Sequence, residues 1–208
     1  MTRHNAHTQI VWGHKTPRAE HHVDAIVPWV READRHFYDI FLDGNNIDHV
    51  LRRWIGRDSS EIALRRTRLL ICDDRIAGGY VALAGSELPG CRQADLLDLA
   101  REMGNGSYAA LRARMDDLSD LFAAVEDHDF YLSKLGLLPD FKDRDLRPEL
   151  MDDCLRRARQ GGFGRVRVDV AENDKDHLAF FEGYQFRPIY RGKTRATELR
   201  YLSLARGT

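Results

Sequence analysis

Polar side chains suited to acid–base chemistry lie at the start of the most apolar stretch of the chain. His128 and Asp129 precede this stretch, and Tyr131 lies inside it. Histidine has a pKa that suits proton transfer near neutral pH, whereas a tyrosine with an ordinary pKa of about 10 is a poor base and acts as an acid or hydrogen-bond donor. We expect these three residues to include a catalytic group. The alternative is a strand end whose polar groups are only solvated.

One more polar residue interrupts the same apolar run. Ser133 follows Tyr131 by two positions, and alternate residues of a strand point to the same face. Ser133 is therefore a candidate for contact with a ligand on the face that carries Tyr131.

The segments around these residues follow one another as strand, loop, helix and strand. The apolar run covers residues 130–138, a charged loop covers 140–147, a helical pattern covers 148–160, and an alternating run covers 165–171. In an α/β protein such a unit buries both faces of its strands. Its strand-to-helix loop and helix N-terminus face a ligand.

Residues 130–186 resemble the core of the GNAT superfamily of N-acetyltransferases. There a strand ending in Val/Leu-x-Pro precedes Arg/Gln-x-x-Gly-x-Gly/Ala, a helix, a strand and a helix of pattern Asn…Ala-x-x-Phe-Tyr-x-x-x-Gly-Phe. Here the strand ends in Leu-Leu-Pro and the last helix reads Asn…Ala-Phe-Phe-Glu-Gly-Tyr-Gln-Phe. The resemblance extends more faintly over residues 25–83. It implies an α/β fold with a mixed, twisted sheet of six to seven strands, split near Leu135–Pro139, and helices on both faces.

The resemblance also implies acetyl-CoA or another acyl-CoA as co-substrate. The acyl thioester would lie by the backbone of Gly136, Leu137 and Leu138, and the pyrophosphate would lie in the loop that follows. The loop residues expected to bind it are Lys142, Asp143, Arg144, Asp145, Leu146 and Arg147.

Several positions depart from the family pattern. Asp145 and Arg147 replace the two glycines that let the backbone approach phosphates. The basic residues of the loop could offset the added carboxylates, or Asp143 and Asp145 could instead cap the following helix. Phe181 replaces the tyrosine that protonates the leaving thiolate in the family, and Gln185 replaces the final glycine.

The rest of the family's site maps onto earlier segments. Tyr131 takes the position from which a carboxylate often serves as general base. The aromatic segment 36–42 corresponds to the part that lies over the substrate cleft, so His36, Phe37 and Tyr38 are expected to contact the substrate. A helical insertion at about 91–125 exceeds the minimal fold, and could form a lid, a homodimer surface or simply a packing helix pair.

Composition limits the remaining possibilities. The 208 residues suffice for one domain, expected over 1–208, and the formal net charge of -1 gives no global attraction for nucleic acid or anionic membrane. No apolar run approaches the roughly 20 residues of a membrane span. The three cysteines lack metal spacing, and Cys72 and Cys154 are expected to be reduced core residues. We expect a cytoplasmic protein without metal.

Three functions remain open at this point. The first is an acyl-CoA-dependent N-acyltransferase acting on a small amine. The second is a repurposed enzyme that uses the same cleft for another biosynthetic reaction without acetyl-CoA. The third is a non-catalytic binding or partner subunit, with the helical insertion as an interface.

Overall fold

A computed structural model describes residues 7–16, 22–42, 46–103, 107–118, 120–195 and 199–208. Within these ranges, seven strands form a mixed sheet in the order β1-β2-β3-β4-β5-β7-β6, and the only parallel pair among them is β4 with β5. The strands are β1 (Thr8–Trp12), β2 (Thr67–Cys72), β3 (Arg75–Ala84), β4 (Asp129–Leu137), β5 (Arg165–Ala171), β6 (Arg187–Lys193) and β7 (Arg200–Gly207). The helices are α1 (Val23–Glu32), α2 (Arg35–Phe41), α3 (Ile47–Ile55), α4 (Leu88–Met103), α5 (Ser107–Leu118), α6 (Arg147–Gln160) and α7 (Lys175–Gly183).

Helices cover both faces of the sheet, as predicted. One apolar cluster packs α6 and α7 against one face through residues such as Met151 and Phe181. The other packs α1 to α5 against the opposite face through residues such as Trp29 and Leu99. Cys72 and Cys154 are buried and unbridged. Strands buried on both faces read as continuous apolar runs, which is why the sequence of β4 lacks a clear alternation.

The helical insertion differs in extent from the prediction. Helix α4 begins at Leu88, before the predicted start at residue 91, and α5 ends at Leu118, before the predicted end at residue 125. Pro89 occupies the first turn of α4, where a missing N–H costs nothing. None of the helices in the described part of the chain has the length and apolar composition that a membrane span requires.

A β-bulge in β4 changes which side chains face which layer. Val81 pairs with Lys134 and Ala82 pairs with Leu132, so Ser133 is an extra residue in β4. Before the bulge Phe130 and Leu132 face the α6–α7 layer, whereas after it Leu135 and Leu137 do so. Ser133 and Lys134 consequently point to the same face, although strict alternation would send Lys134 into the apolar layer.

The split in the sheet lies earlier along the chain than predicted. Strands β4 and β5 pair over three positions, and the last pair is Tyr131 with Arg167. Beyond it the two strands diverge, so the expected split near Leu135–Pro139 is wrong. From Leu132 onward, the edge of β4 that faces β5 has no neighbouring strand in the described sheet.

Candidate active site

Two concave spaces meet where the strands diverge. An apolar cavity of about 520 Å³ lies on the α1–α5 side of the sheet. A more polar cleft of about 310 Å³ lies between the diverging ends of β4 and β5. The residues that line both spaces, here called the junction, are Asp34, Ser133, Lys134 and Asp169.

A buried ion pair forms one side of the junction. The Lys134 ammonium lies 2.8 Å from Asp34 Oδ2, and the hydroxyl of buried Tyr201 donates to Asp34 Oδ1. Burial opposes the charge on Lys134, but the nearby carboxylate of Asp34 outweighs it and the pKa of Lys134 is raised. Lys134 is therefore a fixed cation at this site and not a base.

A hydrogen-bonded chain forms the other side of the junction. Arg92 Nε donates to Glu61 Oε2 at 3.0 Å, and Arg92 Nη2 donates to the Tyr131 hydroxyl at 3.1 Å. Tyr131 in turn donates to Asp169 Oδ2 at 2.9 Å, and Ser133 donates to Glu61 Oε1. Tyr131 and Ser133 thus belong to one network, which is consistent with the prediction that they lie on one face of the strand.

The carboxylates of this network differ in basicity. Burial would raise the pKa of Glu61, but the charge of Arg92 offsets burial and the pKa of Glu61 is lowered. Burial dominates at Asp169, and the pKa of that carboxyl is raised. Burial and the charge of Asp169 also raise the pKa of Tyr131, so the phenol stays protonated. Of these two carboxylates, Asp169 is therefore the more basic.

A third carboxylate lies on the insertion helix α4. Asp95 Oδ2 accepts hydrogen bonds from the Ser60 hydroxyl and the Glu61 backbone N–H, each at 3.0 Å. Asp95 Oδ1 is buried and has no hydrogen-bond partner among the described residues. Burial raises the pKa of Asp95 to about 7. Its side chain lines the apolar cavity.

Aromatic and aliphatic side chains form the wall of the apolar cavity. Phe37 stacks on Phe41 with ring centroids 5.3 Å apart, and Phe122 packs edge-on to Tyr201. The Lys134 ammonium lies 5.3 Å from the centre of the Tyr38 ring. Phe37 and Tyr38 therefore contact this cavity, whereas His36, the third residue expected to bind substrate, lines the cleft.

The cleft suits an extended chain that carries amide groups. Ser133, Lys134 and Leu135 line it on β4, and Val168, Asp169 and Val170 line it on β5. The unpaired edge of β4 offers backbone N–H and C=O groups to such a chain, as sheet edges do for bound peptides. The pantetheine arm of an acyl-CoA, with its two amides, fits this description.

The expected thioester-binding residues lie beyond the cleft. Gly136 pairs with Gly79 and Leu137 pairs with Gly78, while the Leu138 N–H donates to Ala77 O at 2.8 Å. None of the three lines the cleft. The cleft-lining segment is Ser133 to Leu135 because the split and the bulge come earlier in β4 than expected.

The loop before α6 is poorly suited to a pyrophosphate. The N–H groups of Lys142, Arg144 and Leu146 donate to carbonyls inside the loop. Asp143 and Asp145 are exposed there. The cations have partners: Lys142 pairs with Glu32, Arg144 pairs with Asp73, and Arg147 stacks on Phe180.

The alternative role of the loop carboxylates is also wrong. The residue that caps α6 is Leu146, and no side chain caps the helix there. Asp143 and Asp145 therefore do not replace the lost glycines with a capping function.

His128 and Asp129 lie away from both spaces. His128 is exposed and lines neither the cavity nor the cleft. Asp129 is fully buried, pairs with Arg165 and accepts the Glu126 N–H at 2.8 Å. Burial alone would raise the pKa of Asp129, but the hydrogen bond from Arg165 outweighs burial and lowers it. We do not retain these two residues in the proposed site.

Much of the site was missed in the sequence because its residues are scattered. The residues without a local signal are Asp34, Glu61, Arg92, Asp95 and Asp169. Lys134 did carry a signal, since a lysine inside an otherwise apolar run of a buried strand needs a partner. The described residues contain no group of His, Cys, Asp and Glu that could hold a metal ion.

Comparisons with known proteins identify the fold. No protein-family model and no curated protein match the sequence. Among solved structures, an N-acetyltransferase from Staphylococcus aureus Mu50 matches with 13% identity and a TM-score of 0.70 over 95% of this chain and 100% of its own. The PaiA N-acetyltransferase from Thermoplasma acidophilum, in complex with coenzyme A, matches with 10% identity and a TM-score of 0.55 over 97% and 99%.

A third solved structure is a condensation domain. The C-terminal condensation domain of Ebony, in complex with beta-alanyl-dopamine, matches with 11% identity and a TM-score of 0.59 over 98% of this chain and 100% of its own. The chain has the fold of the GNAT N-acetyltransferases, in a form whose sequence is highly divergent. This confirms the resemblance found in the sequence at the level of the fold.

Proposed function

We propose that this protein is an N-acyltransferase that moves an acyl group from a thioester in the cleft to an amine in the apolar cavity. The observation that carries the proposal is the junction, where four residues line both spaces. A reaction between two substrates needs such a place, because reacting atoms must approach to about 3 Å.

The proposed acyl donor is inferred from the shape of the cleft. Its open strand edge favours a pantetheine-type thioester, and a structural neighbour was solved with coenzyme A. In the loop before α6, Asp143 and Asp145 are exposed, and their carboxylates would oppose the negative charge of the CoA pyrophosphate. We therefore propose a pantetheine thioester as the recognised part of the donor.

The acceptor class follows from the lining of the apolar cavity. Phe37, Phe41 and Phe122 favour an apolar or aromatic body. At the junction end, the carboxylates of Asp34, Glu61 and Asp169 outnumber the cations Lys134 and Arg92, which disfavours an anionic acceptor and suits an amine. A small arylalkylamine is the class that best combines these features.

The junction residues supply the chemistry of the transfer. Asp169 accepts the proton of the attacking amine, because burial makes it a stronger base than Glu61. The Lys134 cation stabilises the negative charge that develops on the thioester oxygen. Tyr131 donates to Asp169 and holds it in place. The C–N bond forms, the C–S bond breaks, and the products are an amide and a thiol.

Thiol release from S-acetylpantetheine and from acetyl-CoA, measured with a panel of arylalkyl, alkyl and amino-acid amines, tests this function. We expect release with phenethylamine or tryptamine, and a fall of about 10² to 10⁴ in kcat/KM for Asp169→Asn. Asparagine keeps the size of the side chain and its acceptor for Tyr131 but cannot take a proton.

Glu172→Gln is the matched control. Glu172 lies just after β5, pairs with Arg191 and lines neither the cavity nor the cleft. The kcat/KM of this variant should therefore stay at the wild-type value. Release that never exceeds the buffer rate with either donor would contradict the function and favour a binding subunit.

A repurposed enzyme that does not use acetyl-CoA is the second candidate, favoured by the glycine-free loop. The Ebony domain of the same fold, solved with beta-alanyl-dopamine, is compatible with such a use. A comparison of S-acetylpantetheine with acetyl-CoA distinguishes the repurposed enzyme from an acyl-CoA-dependent one. Equal kcat/KM values for S-acetylpantetheine and acetyl-CoA would indicate that the CoA pyrophosphate is not recognised.

A further inference from the structure

Helix α7 lacks the hydroxyl that its family pattern places at residue 181. Phe181 is buried and packs against Phe180 and Phe186, so it offers no proton to a ligand. A thiolate that leaves during acyl transfer still has to be protonated. The question is which group on this wall of the cleft could do so.

His177 lies one helical turn before Phe181, on the same face of α7. The two rings are nearly parallel, at 25°, with centroids 6.4 Å apart, and both line the cleft. Among the described residues of α7, His177 is therefore the titratable side chain that reaches the cleft beside Phe181.

The imidazole of His177 is held by the residue that caps the helix. Asp174 Oδ1 accepts the His177 backbone N–H at 3.1 Å, and Oδ2 lies 2.6 Å from His177 Nδ1. The hydrogen bond from His177 lowers the pKa of Asp174, so Asp174 stays a carboxylate. Nδ1 then carries a proton toward Asp174, and Nε2 is left for the cleft. No hydrogen bond joins Nε2 to another residue in the described part of the chain.

We propose that His177 is the general acid that protonates the leaving thiolate, in place of the missing tyrosine; this rests on the proposed function. The amine nitrogen bonds to the thioester carbon and gives its proton to Asp169. The C–S bond breaks, and the sulfur takes the proton on Nε2 of the His177 imidazolium. Asp174 keeps its hydrogen bond to Nδ1 throughout. Asp169 then releases its proton to water, and the neutral His177 ring takes one proton back from water in the open cleft, so the net reaction converts thioester and amine into amide and thiol.

A purely local role is the competing explanation, because an aspartate cap can bind the side chain three residues on without any ligand. An affinity label distinguishes a His177 side chain that contacts the donor from one that only binds the helix cap. S-bromoacetylpantetheine places an alkylating carbon beside the thioester sulfur, and peptide mass spectrometry locates the adduct. We expect the adduct on His177 and protection by excess pantetheine.

His36 provides an internal control for the label, since it lines the same cleft from α2. An adduct on His36 alone, an adduct at sites outside the cleft, or no adduct would each overturn the assignment. This readout needs no acceptor amine. It therefore stands even where acyl transfer fails, which separates it from the test of the proposed function.

A leaving-group experiment then tests the proton transfer. In the His177→Gln variant, kcat/KM with S-acetylpantetheine should fall by about 10²-fold or more, because its alkyl thiolate is a basic leaving group. With S-phenyl thioacetate, whose aryl thiolate leaves without a proton, the rate should change by less than about threefold. Glu172→Gln, at a residue that lines neither the cavity nor the cleft, should leave both rates at the wild-type value.

Equal losses with the two donors would mean that His177 only shapes the cleft, and no loss with either would mean that it takes no part. Both results overturn the proposal. A wild-type protein that transfers no acyl group from either ester contradicts the proposed function, and the labelling result is then read by itself.

Discussion

The junction and the loop before α6 contain the same kinds of charged side chain in opposite settings. At the junction, Lys134 is 8% exposed and pairs with Asp34. In the loop, the side chains of Lys142 and its partner Glu32 are 51% and 43% exposed. A buried charge is strongly destabilising when its partner is removed, whereas an exposed pair contributes little. The electrostatic contribution to stability is therefore expected to be concentrated at the junction and to be small in the loop.

Removal of one cation in each region gives the largest contrast. Lys134→Met leaves the carboxylate of Asp34, which is 16% exposed, with Tyr201 as its remaining side-chain donor, and we expect a loss of about 3 to 5 kcal/mol in the free energy of unfolding. Lys142→Met should change it by less than about 1 kcal/mol. Urea denaturation of both variants measures the difference. Similar losses would show that the two settings do not differ in the way described.

The pH dependence of stability tests the effect of burial at another carboxyl group, that of Asp95, which lines the apolar cavity beside the junction. Its pKa is raised to about 7 by burial, so the folded chain holds more protons than the unfolded chain between about pH 4 and pH 7. This contribution to stability is present below that window and is lost as the pH rises through it. A pKa difference of about three corresponds to at most about 4 kcal/mol.

Asp95→Asn should remove this part of the slope, because asparagine does not titrate. Chemical denaturation at pH 5 and at pH 8 measures it. The variant should gain stability relative to the wild type on going from pH 5 to pH 8. An unchanged difference between the two pH values would contradict the raised pKa and the burial that causes it.

Changes in the loop should alter ligand preference and not the fold. In the double variant Asp143→Asn and Asp145→Asn, two exposed carboxylates no longer face the CoA pyrophosphate. Each carboxylate is worth about 1 kcal/mol at surface dielectric, so removal of both charges should tighten CoA binding by up to about thirtyfold. S-acetylpantetheine lacks the pyrophosphate, and its affinity should stay constant. Calorimetry with both ligands checks this, and an equal gain for both would contradict it.

The smallest expected effect concerns glycine positions of the family pattern. Gln185 has a φ of 66°, whereas Asp145 and Arg147 are not among the described residues with positive φ. Gln185→Gly should therefore stabilise the fold by about 0.5 to 1 kcal/mol. Asp145→Gly should give no such gain, because its backbone needs no left-handed conformation. Thermal denaturation distinguishes the two.

The fold was largely predictable because the strand–loop–helix–strand core leaves a local pattern. The hairpin of β2 and β3 was also predictable: Asp73 and Asp74 both have positive φ in a two-residue turn, as aspartates tolerate. The site was predictable around Tyr131 and Ser133 from strand spacing, and around Phe37 and Tyr38 from the family resemblance. The bulge at Ser133 was invisible, because an extra residue in a buried apolar strand changes no local composition.

The partners of Lys134 and Tyr131 could not be found from spacing. Asp34 lies 100 residues before Lys134, and Asp169 lies 38 residues after Tyr131. The fold alone brings them together. The start of the helical insertion was also mispredicted, because Gly90, which lies in the first turn of α4, is a residue type that is typical of loops.

The central claim is that the donor in the cleft and the acceptor in the apolar cavity meet at the junction. A bisubstrate compound tests it most directly: S-carboxymethylpantetheine joined through an amide to phenethylamine, titrated into the protein by calorimetry. If both halves are bound at once, the compound should bind at least about 100-fold more tightly than S-acetylpantetheine or phenethylamine alone. Binding no tighter than that of the better half would contradict the account.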